Sequence, residues 1–219
     1  LPATSFAKIA VPAMILLAAG GCTRTGDIDS SGGGAGITAV RSACPRVGVP
    51  AATGDVTLFD PANSREAQAI DVVANITNVA STCDDAGEQV VTNVTFDVFA
   101  RRRDAGPARD VTLPYFIAVV RGGSSVTAKR ISHVTLHFDA GQIRASAKGQ
   151  ASSSVSHAAA TLPDEVRKRL NRKRKAGEEA AAMDPLADPA IRTAVASASF
   201  EALVGFQLTE DQLKYNATR

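Results

Sequence analysis

Three cysteines, Cys22, Cys44 and Cys83, and three histidines, His133, His137 and His157, are the side chains best suited to chemistry in this sequence. Thiolates serve as nucleophiles, disulfide partners or zinc ligands, and imidazoles serve as bases or ligands. No CxxC occurs, and the histidines lie far in sequence from every cysteine, so the spacing favours neither a zinc site nor a redox pair. His133 and His137 flank Thr135 in a segment of alternating apolar residues. On a strand, four residues span about 13 Å, too far for both imidazoles to share one metal, and both read as surface residues. Hydroxyl nucleophiles fare no better. Ser152, Ser153 and Ser154 have no GxSxG elbow around them, the one SxxK match runs from Ser5 to Lys8, and no phosphate-cradling GxxxxGK[ST] or GxGxxG segment is present. The adjacent acids Asp84-Asp85 and Glu178-Glu179 read as a turn and as helix surface. The expectation is a protein that is not an enzyme and needs neither cofactor nor metal.

Cys22 has the most specific setting. Lys8 supplies a positive start, Ile9 to Ala19 an apolar stretch, and Gly20-Gly21 a small-residue approach to the thiol, the order in which a secretion signal is read. As a helix the apolar stretch would reach about 16 Å, well short of the roughly 30 Å hydrocarbon core, which argues against a permanent membrane span. Leu16-Leu17-Ala18-Ala19-Gly20-Gly21-Cys22 resembles a bacterial lipobox, although Ala19 stands where that pattern usually has Leu. The resemblance implies diacylglycerol on Cys22 and a mature chain tethered to a membrane by its acyl chains. Thr23, where an Asp would retain such a product in the inner membrane, implies the outer membrane, facing the periplasm. A conventional, fully cleaved signal is the alternative.

An exported chain also changes what Cys44 and Cys83 are expected to do. In an oxidising compartment they should pair, closing a loop of about 40 residues and stabilising the fold by about 4 kcal/mol on the chain-entropy model. Two separately buried thiols are the other reading.

The bulk properties fit one exported domain. The chain has 219 residues, 45% hydrophobic and 21% charged, with a net charge of +2, enough for one substantial core and too near balance to suggest nucleic acid. One basic run stands out: Arg167, Lys168, Arg169, Arg172, Lys173, Arg174 and Lys175. It reads either as a contact with anionic headgroups or as a solvated helical face partly neutralised by Glu165, Glu178 and Glu179. Without interleaved aromatics it does not suggest single-stranded nucleic acid.

The elements follow from periodicity. Residues 1–21 read as a signal and 22–40, with Ser30-Ser31-Gly32-Gly33-Gly34, as a flexible lipidated tether. From about Val49 to Ala160 apolar residues alternate with polar ones, the mark of strands with one buried face. Inward sets are Ile70, Val72, Ala74 and Ile76; Val94, Phe96 and Val98; Leu113, Tyr115, Ile117 and Val119; and Val134, Leu136 and Phe138. Arg121-Gly122-Gly123-Ser124 is a hairpin turn. Shorter candidates are Val56 to Phe59, Gln142 to Ala147 and Phe200 to Leu208. About seven strands in all predict a mainly β protein, an immunoglobulin-like antiparallel sandwich over 41–219, with parallel pairing disfavoured for want of helical crossovers. A helical insertion is expected over 161–198, opening at Pro163 and closing with a second helix from Ala190 to Ala198. Thr209-Glu210-Asp211-Gln212 has capping-box form and predicts a terminal helix, with Leu213 and Tyr215 folded back on the sandwich.

Leu113-Pro114-Tyr115-Phe116-Ile117-Ala118-Val119, Gly205-Phe206-Gln207-Leu208-Thr209, Tyr215-Asn216 and Cys44-Pro45, taken with the lipobox, resemble segments of uncharacterised alphaproteobacterial lipoproteins. That resemblance implies a Gram-negative envelope address and carries no activity and no site residues. Anchor, strand pattern and the lack of a reactive constellation lead to one expectation. The protein is an envelope lipoprotein that presents loops or an edge strand to another envelope component, its partners being the membrane through its lipid and an envelope protein, with no nucleic acid. The alternative is a periplasmic carrier of a small ligand, lipid or sugar, between its sheets.

Overall fold

Alternation becomes strand along most of the chain in the computed structural model, which describes residues 42–172 and 184–218. The expected signal, the tether and Cys22 lie outside those residues. In chain order the strands are β1 (Arg46–Gly48), β2 (Asp55–Phe59), β3 (Ile70–Asp84), β4 (Gln89–Arg102), β5 (Arg109–Arg121), β6 (Ser125–Phe138), β7 (Arg144–Ser156) and β8 (Phe200–Phe206). The helices are α1 (His157–Ala160), α2 (Asp164–Leu170), α3 (Pro189–Ser197) and α4 (Glu210–Thr218).

Two four-stranded sheets pack face to face, one ordered β1-β8-β5-β6 and the other β2-β3-β4-β7. The protein is thus mainly β, a sandwich with helices before its last strand and at its end. Val72, Ala74, Val94, Phe96 and Val98 of one sheet meet Leu113, Tyr115, Ile117, Leu136, Phe138 and Val204 of the other, all buried in a single cluster. Each fully buried Val, Leu or Phe contributes about 1.5–3 kcal/mol relative to exposure. Tyr115 meets the Phe96 ring edge-on at 5.1 Å and donates its hydroxyl to the Gln150 carbonyl at 2.5 Å, which ties β5 across to β7. Ile70 is only half-buried, and Ile76, also half-buried, packs at the margin of this cluster.

Arg102, only 2% exposed, holds one end of the sandwich together. Its guanidinium donates to the carbonyls of Gln142 (2.6 Å), Pro107 (2.8 Å), Gly106 (3.0 Å) and Asp139 (3.1 Å), and lies over the Phe138 ring. Four carbonyl dipoles from two loops thereby solvate a buried charge.

Several boundaries differ from the sequence reading, each for a local reason. A strand expected to stop at Ala147 runs on as β7 to Ser156, because the inward residues ahead of Val155, namely Ala145, Ala147, Gly149, Ala151 and Ser153, are too small to register as an apolar face. A Cβ on Gly149 would lie 2.2 Å from the Phe96 ring, so the small residues make room for the opposite strand's aromatic. β1 escaped notice at three residues, and it pairs with β8 in parallel, against the all-antiparallel expectation. Parallel pairing needs a long crossover, and here nearly the whole domain lies between the two strands. β8 ends at Phe206 rather than Leu208.

The capping box at the last helix is present. The Thr209 backbone N–H donates to Gln212 Oε1 at 2.9 Å, and the Gln212 N–H donates to Thr209 Oγ1 at 3.2 Å. α4 docks through Tyr215, edge-on to Phe59 at 5.2 Å, and through Asn216, whose amide donates to the carbonyls of Ala52 and Asp55. Leu213, expected to pack inward, is exposed. The hairpin turn between β5 and β6 has Gly122 and Gly123 at φ 64° and 79°, a left-handed conformation that glycine adopts without strain.

Candidate functional site

Cys44 and Cys83 form a disulfide, with Cα atoms 6.1 Å apart, fastening the chain just before β1 to the far end of β3. Around it three segments converge. Residues 42–46 enter along β8, the α1–α2 segment leaves β7, and the end of α3 returns the chain to β8. Helices α2 and α3 hold one another through a small core of Leu170, Ile191 and Val195, with Leu162, Val166 and Leu186 at its margin. A second cluster, Val90, Val119, Val155, Ala160 and Phe200, seats this layer on the end of the sandwich. The Gly122 N–H donates to the Ser199 carbonyl and Arg121 Nε to the Ser197 carbonyl, which fixes the return to β8.

Between these parts lies a cleft of about 670 Å³. Ala160, Leu162, Leu170 and Phe200 give it an apolar wall beside the disulfide, while Arg46 from β1 and Arg167 from α2 contribute cations and Asp85 an acid. His157 lines it too, its Nδ1 3.4 Å from the Thr161 hydroxyl. A second, flatter hollow of about 500 Å³ lies over the β5–β6 turn between Arg121 and Arg192. Neither lies between the sheets, where the facing side chains are buried.

The basic run divides. Arg167 pairs with Asp164 at 2.6 Å, Lys168 with Glu165 at 3.4 Å and Arg169 with Asp188 at 2.8 Å. Asp188 also caps α3 by accepting from the Ala190 N–H, and that bond, with Arg169 close by, holds its carboxyl below the usual range. These pairs are exposed and weak, yet they oppose much of the positive field expected on this face. Arg172 follows α2 and is exposed, whereas Lys173, Arg174 and Lys175 lie outside the described residues.

The histidines remain apart. His133 and His137 both point outward from β6, exposed, as the alternation requires. His137 Nδ1 lies 2.6 Å from Asp110 Oδ1 on the neighbouring strand, and this hydrogen bond raises its pKa above the ordinary histidine value. A base held by a carboxylate is half of a catalytic arrangement, but the hydroxyls of Thr112 and Thr135, paired across β5 and β6, bond to each other at 3.0 Å. Among the described residues no cluster of three or more His, Cys, Asp or Glu side chains could hold a metal.

No family model matches this sequence, and no curated protein or solved structure is significantly similar to it. Function must therefore be argued from the molecule's own surfaces. Two of these were not foreseen from the sequence. The cleft draws on residues from positions 42 to 200, and no local pattern marks such an assembly. The other is the outer half of β6, where every residue from Ser125 to His133 is exposed.

Proposed function

We propose that this protein is a lipid-anchored envelope lipoprotein, related to the alphaproteobacterial lipoproteins its segments resemble. On this reading it is held at the periplasmic face of the outer membrane through Cys22, and its β6 edge engages another envelope component without catalysing a reaction. The observation that carries the proposal is the outer edge of β6, which has no neighbouring strand among the described residues. It bounds its sheet, and Val126 and Ile131 are 61% and 56% exposed along it. Long edges of this kind template pairing with another chain unless blunted, and here Lys129 and Arg130 restrict which strand can add. An incoming extended segment would take up the free main-chain groups and cover Ile131, and acidic side chains would suit the two cations. The address draws support from the lipobox-like residues and from the Cys44–Cys83 disulfide, a bond that persists in oxidising compartments.

Photo-crosslinking from position 131 of the lipidated protein in intact cells tests the reading. A discrete envelope partner should be trapped there and not from the exposed position of Asp104. Equal yields from both positions, or none above background, would remove it. Loss of palmitate labelling in Cys22→Ala checks the anchor separately. On the carrier alternative, a lipid or sugar would use the cleft at the sandwich's end.

A further inference from the structure

We infer that the cleft beside the Cys44–Cys83 disulfide binds a small single-chain amphiphile with an anionic head, a carboxylate or a phosphate monoester. The inference rests on the carrier alternative, moved from the sheet interface to the end of the sandwich, and is independent of the β6 edge. At about 670 Å³ the cleft falls within the roughly 300–1,000 Å³ typical of small-ligand sites. Its lining combines two chemistries. Leu162, Leu170 and Phe200 offer an apolar wall, and Leu170 and Phe200 are themselves buried, so a hydrocarbon chain laid there meets a fixed surface.

Arg46 and Arg167 come from β1 and α2 and line the same cleft, with Asp85 as the one lining carboxylate among the described residues. Counted over these lining side chains alone, with His157 neutral, the formal charge is positive. The present partners of the two arginines, Glu201 at 3.0 Å and Asp164 at 2.6 Å, form exposed pairs. Such pairs contribute little, so a guanidinium can turn one edge of its fork to a head group without forfeiting a strong bond. Planar guanidinium donors match carboxylate and phosphate oxygens better than they match sugar hydroxyls. An amphiphile with a cationic head would meet the same two arginines unfavourably.

Calorimetric titration of the purified full-length protein, with each amphiphile below its micelle concentration, tests this. Dodecyl phosphate and laurate should each bind once per chain. Dodecyltrimethylammonium should not bind, and inorganic phosphate should bind at least about 100-fold more weakly, because it leaves the apolar wall bare. The double variant Arg46→Gln with Arg167→Gln should weaken dodecyl phosphate by about tenfold or more. Should that variant unfold, Asn171→Trp, at the exposed C-terminal end of α2 on the cleft's rim, supplies the second test and should weaken binding by obstructing entry. Binding of the cationic amphiphile as tightly as the anionic ones, tight binding of inorganic phosphate alone, indifference of a folded variant, or no binding of either anionic probe would each overturn the inference. None of these results bears on crosslinking from position 131, so the two readings fail separately.

Discussion

Arg102 illustrates how much a single side chain carries in this molecule. Nothing in its sequence neighbourhood, Arg101-Arg102-Arg103, sets it apart from its exposed neighbours except the strand alternation that turns it inward. Once inside, it hydrogen-bonds no carboxylate among the described residues and is stabilised by four loop carbonyls and an aromatic face. Replacing it with an apolar side chain removes a buried charge but takes the guanidinium donor from the Gln142 and Pro107 carbonyls, whereas those of Gly106 and Asp139 keep the Gly141 and Gln142 N–H groups, and each acceptor left unsatisfied costs about 1–3 kcal/mol unless water reaches it. Arg102→Met is accordingly expected to lower unfolding stability by about 3 kcal/mol, measured by urea denaturation. A loss below about 1 kcal/mol would mean that the two loops keep their conformation without the guanidinium.

Among the strands, β7 shows best how packing can override a weak local signal. Its inward stripe of small residues is complementary to the Phe96 and Tyr115 rings, so that strand is specified by its partners more than by its own apolarity. Gly149→Ala should therefore cost about 1–3 kcal/mol through overpacking, and adding Phe96→Leu should recover part of the loss. Thermal melts of the two single variants and the double variant measure the coupling, and strict additivity would refute it. The same contrast explains what could be read in advance. Strands with β-branched or aromatic residues at alternate positions, such as Val94-Thr95-Phe96-Asp97-Val98, announce both their existence and their buried face. The α4 cap was legible because its two hydrogen bonds involve residues three apart. β1, at three residues, has too little sequence to show a period, and the cleft joins segments more than a hundred residues apart, so neither leaves a local trace. The pairing of Cys44 with Cys83 was legible only because an exported chain with Cys22 set aside leaves two thiols.

At the scale of the molecule, the disulfide adds a covalent cross-link, beyond the backbone itself, between the entering chain and the sheet opposite β1. By closing a loop with 39 residues of separation it should stabilise the fold by about 2–4 kcal/mol, so Cys44→Ser with Cys83→Ser should lower the urea midpoint accordingly. An unchanged midpoint would show that β1 is held by its pairing with β8 alone. β8 lies between β1 and β5, yet it is the last strand to emerge from a channel that delivers the chain amino end first. Until then β1 lacks its neighbour and the interior row on β5 has no flank on that side. Non-local topologies of this sort assemble late and slowly. The chain must accordingly be almost fully emerged before the first strand has a place to sit, and a chain stalled shortly before Phe200 would present an open, apolar seam to whatever chaperone or protease meets it first.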